Sequence, residues 1–201
     1  MESKTKTTEK ILLKLLKEPF TKHTATSLAS ALNLSRQGLW KSLNKLSKNK
    51  LIALETIGET KKSAVTISLE WKNQVTIKTL SLLLTKESSE HERWKVNFSQ
   101  LENNTEFIIL FGSILHSPKN ARDIDILAVV NSKNDFKRLD EAVIKIQKTQ
   151  EKKIHLIDLT NQEFKTELRK QNKAYIDSLK KGIVLNGQDN YIRFLEDLKR
   201  K

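Results

Sequence analysis

Apolar residues recur at helical spacing over 5–17, where Ile11, Leu12, Leu15 and Leu16 share one stripe. Pro19 closes that element, because its ring restricts the residue before it and cannot continue a helix. A shorter helix is expected over 25–32 with Leu28, Ala29 and Leu32 facing inward, followed by a tight turn at Asn33-Leu34-Ser35. Ser35 carries the side chain to cap a further helix over 36–48, in which Leu39, Leu43 and Leu46 fall at i, i+4 and i+7. Two short helices joined in this way have helix-turn-helix spacing. The stretch from Leu51 to Leu69 then predicts two strands joined by Gly58-Glu-Thr-Lys-Lys.

Helical spacing returns from Trp71 to Gln100, with Val75, Leu80, Leu83 and Leu84 apolar, then a polar run, then Trp94, Val96 and Phe98. At Phe107 the pattern changes. An apolar run to Phe111 stops at Gly112-Ser113, a polar loop follows, and a second apolar run to Val130 carries Asp123 and Asp125. Short runs rich in Ile, Val and Phe and bounded by turn residues predict buried strands. Beyond them the spacing predicts a helix over 135–151, a third strand over 153–159, a helix over 161–180 and a closing amphipathic helix over 191–199. The expected fold class is α+β: an N-terminal helical domain with a strand hairpin over 1–71, a helical linker over 72–100, and a mixed sheet packed with helices over 101–201.

Composition narrows the setting. No run approaches the ~20 apolar residues of a membrane span, and Ile11 to Leu16 is too short and too interrupted by lysine for a signal peptide. The chain has no cysteine, which excludes disulfides and thiolate metal sites and fits a cytoplasmic location. Net charge changes the picture more: +13 with a pI near 9.8 favours a polyanionic partner, nucleic acid first. Between Arg36 and Lys50 there are five basic residues and no acidic one.

The first 70 residues resemble a winged helix-turn-helix domain, and Leu34-Ser-Arg-Gln-Gly-Leu-Trp-Lys-Ser-Leu is similar to the recognition helix of biotin-repressor-type and related archaeal regulators. The resemblance implies double-stranded DNA as partner, with the helix over 36–48 in the major groove and the hairpin tip on phosphates. Arg36, Gln37 and Lys41 lie near the helix start, where base edges are reached; Arg suits guanine and Gln suits adenine. Lys45 lies further along, and Lys61 and Lys62 would serve the wing. Domains of this kind are often homodimers, and a winged helix used only for dimerisation or packing is the plainer alternative.

The second half carries candidate chemistry. Alternate residues of a strand point the same way, so Asp123 and Asp125 share a face about 6–7 Å apart along the chain. Carboxylates so placed repel one another unless a cation lies between them, and hard oxygen-binding ions such as Mg²⁺ suit that arrangement. Gly112 permits close backbone approach to a ligand, and exposed N–H groups with the Ser113 hydroxyl suit a phosphate. Gly-Ser, a loop, then Asp-x-Asp on a second strand resembles the nucleotidyltransferase fold of the DNA polymerase β superfamily, in particular the minimal nucleotidyltransferases of bacteria and archaea. The segment Lys181-Gly-Ile-Val-Leu-Asn-Gly is similar to the ending of archaeal transferases of this kind. Nine residues separate Ser113 from Asp123, one fewer than is usual, and Arg122 replaces the family's serine before the first aspartate.

The resemblance implies that Gly112 and Ser113 hold the tail of ATP or another nucleoside triphosphate, while Asp123 and Asp125 bind two Mg²⁺ ions; apart from the resemblance, Lys119 and Arg122 in the loop are candidates to offset the triphosphate charge. A third carboxylate from the next strand would join the metals and act on the attacking hydroxyl. His155 and Asp158 compete for that place; they face opposite sides of their strand, so only one points at Asp123 and Asp125. Asp158 is preferred, because an imidazole cannot replace a carboxylate bridging Mg²⁺. The implied activity is transfer of a nucleoside monophosphate, AMP first, to a hydroxyl of a protein, such as a HEPN-type toxin, or of an RNA end. The competing reading is a transcription regulator whose transferase domain is a degenerate nucleotide sensor. An RNA adapter and a plain hairpin with unrelated acids stand behind these.

Overall fold

A computed structural model describes residues 6–57 and 64–199. The chain divides into two compact units, the first ending at Leu83 and the second beginning at Leu84.

The first unit runs α1 (Thr7–Lys17), β1 (His23–Thr24), α2 (Ala25–Ala31), α3 (Arg36–Lys48), β2 (Ile52–Ile57) and β3 (Ala64–Leu69). Helix α1 buries Ile11, Leu12, Leu15 and Leu16, the stripe its periodicity demands. Thr24 caps α2 by accepting from the Ser27 N–H, and Ser35 caps α3 by accepting from the Gly38 N–H at 3.1 Å. Between the two helices Asn33 takes φ 51°, a left-handed turn that asparagine tolerates. The strands pair antiparallel in the order β1-β3-β2. Helix, strand, two helices and a hairpin closing on the first strand is the winged-helix arrangement. The hairpin tip expected at Gly58, with Lys61 and Lys62, lies outside the described residues. Strand β1 has two residues, too few for an alternating pattern, and only its pairing with Ile67 and Thr66 reveals it.

Helix α4 (Gln74–Ser89) begins where the Asn73 amide donates to the Lys50 carbonyl at 2.8 Å. The boundary between the units falls inside α4, between Leu83 and Leu84.

The second unit continues with α5 (Glu92–Phe98), a 3₁₀ turn over Ser99–Asn104, β4 (Thr105–Phe111), β5 (Asp123–Val130), α6 (Asp135–Gln147), β6 (Lys153–Thr160), α7 (Asn161–Arg169), α8 (Lys173–Lys181), β7 (Ile183–Asn186) and α9 (Gln188–Lys199). The sheet order is β6-β5-β4-β7, with β5 and β6 parallel and the other pairs antiparallel. The single helix expected over 161–180 is two, because Gln171 takes φ 57° and the Asn172 side chain caps α8 by accepting from the Ala174 N–H. Each sheet face is buried. On one, Ile108, Leu110, Ile124, Ile126, Ala128 and Ile154 pack with Phe98, Leu101, Leu139 and Ile146. On the other, Phe107 meets the rings of Phe164, Tyr191 and Phe194 at centroid distances of 5.3–6.3 Å. The α+β class holds, with a mixed sheet in the second unit.

Candidate functional site

In the second unit, strand register decides which polar groups meet. Phe111 at the end of β4 pairs with Asp125, while Asp123 and Asp125 pair with Lys153 and His155 across the parallel β5–β6 ladder. Paired residues and alternate residues point the same way, so Asp123, Asp125 and His155 share one face at the sheet end where β4 leaves for Gly112. Asp123 and Asp125 are half-buried and His155 is exposed. Asp125 Oδ1 lies 3.0 Å from His155 Nδ1. Gly112 has φ 82° and ψ −164°, a conformation essentially confined to glycine, and its backbone lies so close to Asp125 that any Cβ there would overlap Oδ2. Asp125 is thus held from both sides, by an imidazole at one oxygen and by the bend at the other. Ser113 opens a short 3₁₀ turn and is exposed, as is Lys119 in the loop beyond. The Lys152 ammonium donates to the Ala121 carbonyl, tying the end of that loop to the start of β6.

Asp158 is not in this group. It pairs with Ala128, whose side chain belongs to the core beneath α6, so its carboxyl points to the opposite face of the sheet. Burial raises its pKa, and the nearby carboxylates of Asp140 and Glu163 add to the rise. The expectation that Asp158 joins Asp123 and Asp125 is therefore corrected: strand parity separates it from them, and it is His155 that shares their face. The donors gathered are two carboxylates and one imidazole. Among the described residues no group of three or more His, Asp or Glu side chains is close enough together to hold a metal ion. Mg²⁺ takes oxygen ligands, and the one nitrogen here is already committed to Asp125. The set does not fit the two Mg²⁺ ions that the resemblance implies.

In the first unit, the buried side of α3 is Leu39, Leu43 and Leu46, and Arg36, Gln37, Lys41 and Lys45 are exposed. Asn44 and Lys48 are exposed beside them, and no acidic residue occurs in the helix. Sequence reading passed over Asn44, although its spacing of three from Lys41 placed it on the same side. The positive charge is concentrated here: residues 1–83 hold 15 basic and 6 acidic residues, a net of +9, against 22 and 18 in residues 84–201, a net of +4. No helix among the described residues is long and apolar enough to cross a membrane.

No family model matches the chain, and no curated protein matches it. Among solved structures it is similar to a zinc-responsive MarR family member, Lactococcus lactis ZitR, at 20% identity and a TM-score of 0.32, over 51% of this chain and 65% of that one. Two mutants of the same protein align at 22% identity and TM-score 0.32, again over 51% of this chain and over 63% and 64% of theirs. The chain spans less than two thirds of the length of these neighbours. The winged-helix arrangement stands on the chain's own element order and strand pairing.

Proposed function

We propose that the chain is a regulator that binds duplex DNA through α3, and that its second unit is a nucleotidyltransferase-type domain holding a nucleoside triphosphate as a signal. The observation that carries the DNA reading is the exposed, acid-free side of α3, presented on an α1–β1–α2–α3–β2–β3 scaffold. Such a helix, capped and backed by three buried leucines, offers rigid basic and amide side chains to a groove. The sensor role for the second unit is supported by His155, which faces Asp125 where transfer chemistry calls for an acid. Gly112 and Ser113 would hold the phosphates, and the exposed Lys119 would offset their charge.

The test is anisotropy of a labelled duplex titrated with the full chain at several salt concentrations. Binding should weaken steeply with salt. The Arg36→Ala, Lys41→Ala double variant should bind at least about tenfold more weakly at low salt. Equal affinity of variant and parent would overturn the DNA reading.

A second reading, transfer of AMP to a protein or RNA hydroxyl, is favoured by the Gly112 bend packed against Asp125 on the same face as Asp123. Incubation with labelled ATP, a divalent cation and cell extract tests it. Transfer that is lost in Asp123→Ala with Asp125→Ala supports catalysis at this site, and no transfer by the parent chain removes this reading.

A further inference from the structure

Exposure along α3 is not uniform around the helix. At about 3.6 residues per turn, Gln37, Lys41, Asn44 and Lys48 recur at i, i+4, i+7 and i+11 and fall within about 60° of one another. That stripe lies opposite Leu39, Leu43 and Leu46, which are 0–2% exposed. Gln37, Lys41 and Asn44 make no side-chain hydrogen bond or ion pair among the described residues, so their polar groups are uncommitted. Arg36 and Lys45 flank the stripe, one on each side of it.

We infer that this stripe reads a base-pair triplet, adenine–guanine–adenine, with Gln37 and Asn44 as the residues that set specificity at its two ends. The inference rests on the DNA reading above and goes further by naming the sequence. When a helix lies in the major groove, side chains about one turn apart reach successive base pairs. A carboxamide pairs in bidentate fashion with adenine N6 and N7, donating to N7 and accepting from N6, and an ammonium donates to guanine O6 and N7. The order along α3 is amide, ammonium, amide. Lys48 lies a further turn on, where the helix end leaves the groove floor, and with Arg36 and Lys45 it meets phosphates. Those contacts give affinity without sequence preference. An acid in the stripe would have selected cytosine; there is none.

Selection from a library of duplexes with a randomised centre, using the full chain, tests this directly. The parent chain should enrich the triplet. Asn44→Ala should flatten the preference at one terminal adenine and leave the rest, and Gln37→Ala should do the same at the other. Replacing a terminal adenine by 7-deazaadenine removes its N7 acceptor. That change should weaken the parent roughly 5- to 150-fold and leave the matching alanine variant unaffected. The inference is overturned if parent and variants enrich one and the same sequence, if the parent binds with no triplet preference, or if 7-deazaadenine weakens variant and parent alike. Failure of the parent to bind any duplex at low salt is a different result: it removes the DNA reading itself.

Discussion

Gly112 and Asp125 are in contact: the glycine backbone occupies the space beside Oδ2 that any larger residue would need. Two costs follow from a side chain at 112, one from the overlap and one from φ 82° with ψ −164°. Gly112→Ala should therefore destabilise the second unit, with the backbone conformation alone costing about 1–3 kcal/mol. Shortening Asp125 removes the overlap but not the backbone strain. In chemical denaturation the double variant Gly112→Ala, Asp125→Ala should accordingly lose less stability than the two single losses added together. Strict additivity would mean that the contact is not made.

The Asp125–His155 pair gives the clearest chemical prediction. If His155 keeps the second unit a sensor, then His155→Asp places a third carboxylate on the face that Asp123 and Asp125 share. Repulsion among three acids makes a divalent cation more welcome there. Calorimetry should show Mn²⁺ or Mg²⁺ binding rising in His155→Asp over the parent. Transfer from labelled ATP should rise with it, by the roughly 10²–10⁴-fold that a positioned acid–base group contributes. No gain in either measurement would remove His155 as the residue that sets the proposed sensor role.

Much of this arrangement was legible in the chain, and two of the failures have a common origin. Ser35, with Leu39, Leu43 and Leu46 behind it, marks α3 from local signals alone, because a cap and a helical stripe are contained within a few residues. The alternation in Asp123-Ile124-Asp125-Ile126 likewise places the acids on one face and the isoleucines in the core. Parity also required His155 and Asp158 to face apart. What parity does not contain is register: which of them turns toward Asp125 depends on how β6 lies beside β5, and that is set by packing of both sheet faces. The same applies to β1, which exists only through its partner β3. The break before α8 is different, being local but carried by Gln171 in a left-handed conformation that glutamine seldom marks.

Asp158 should make stability fall as pH rises through the carboxylate range. Burial, aided by Asp140 and Glu163, raises its pKa above the ordinary aspartate value, so the folded chain binds this proton more tightly than the unfolded chain. The penalty is absent below the unfolded pKa and complete above the folded one. Asp158→Asn should therefore stabilise the second unit at neutral pH and lose that advantage in acid. The gain should be small, about 0.5 kcal/mol, because the side chain is only half-buried and solvent screens its charge. Equal stability differences at pH 3 and pH 7 would rule out this cause.

The start of α7 supplies the opposite sign. The Thr160 hydroxyl accepts from the Glu163 N–H, and the Glu163 carboxylate in return accepts from the Thr160 N–H and hydroxyl, each at 2.8 Å. The Thr160 backbone bond first, and the hydroxyl bond second, hold the Glu163 pKa below the ordinary glutamate value. Here the unfolded chain binds the proton more tightly, so the stabilisation is present above the unfolded pKa and is lost as pH falls through the folded value. Glu163→Gln should remove this acid-side loss altogether. Thr160→Ala should cost about 1 kcal/mol through the missing cap and keep part of the pH dependence, since its backbone N–H still donates to Glu163. Denaturation midpoints at pH 3 and pH 7 for parent and both variants would check the order; a Glu163→Gln variant with the parent's pH profile would show that another carboxylate is responsible.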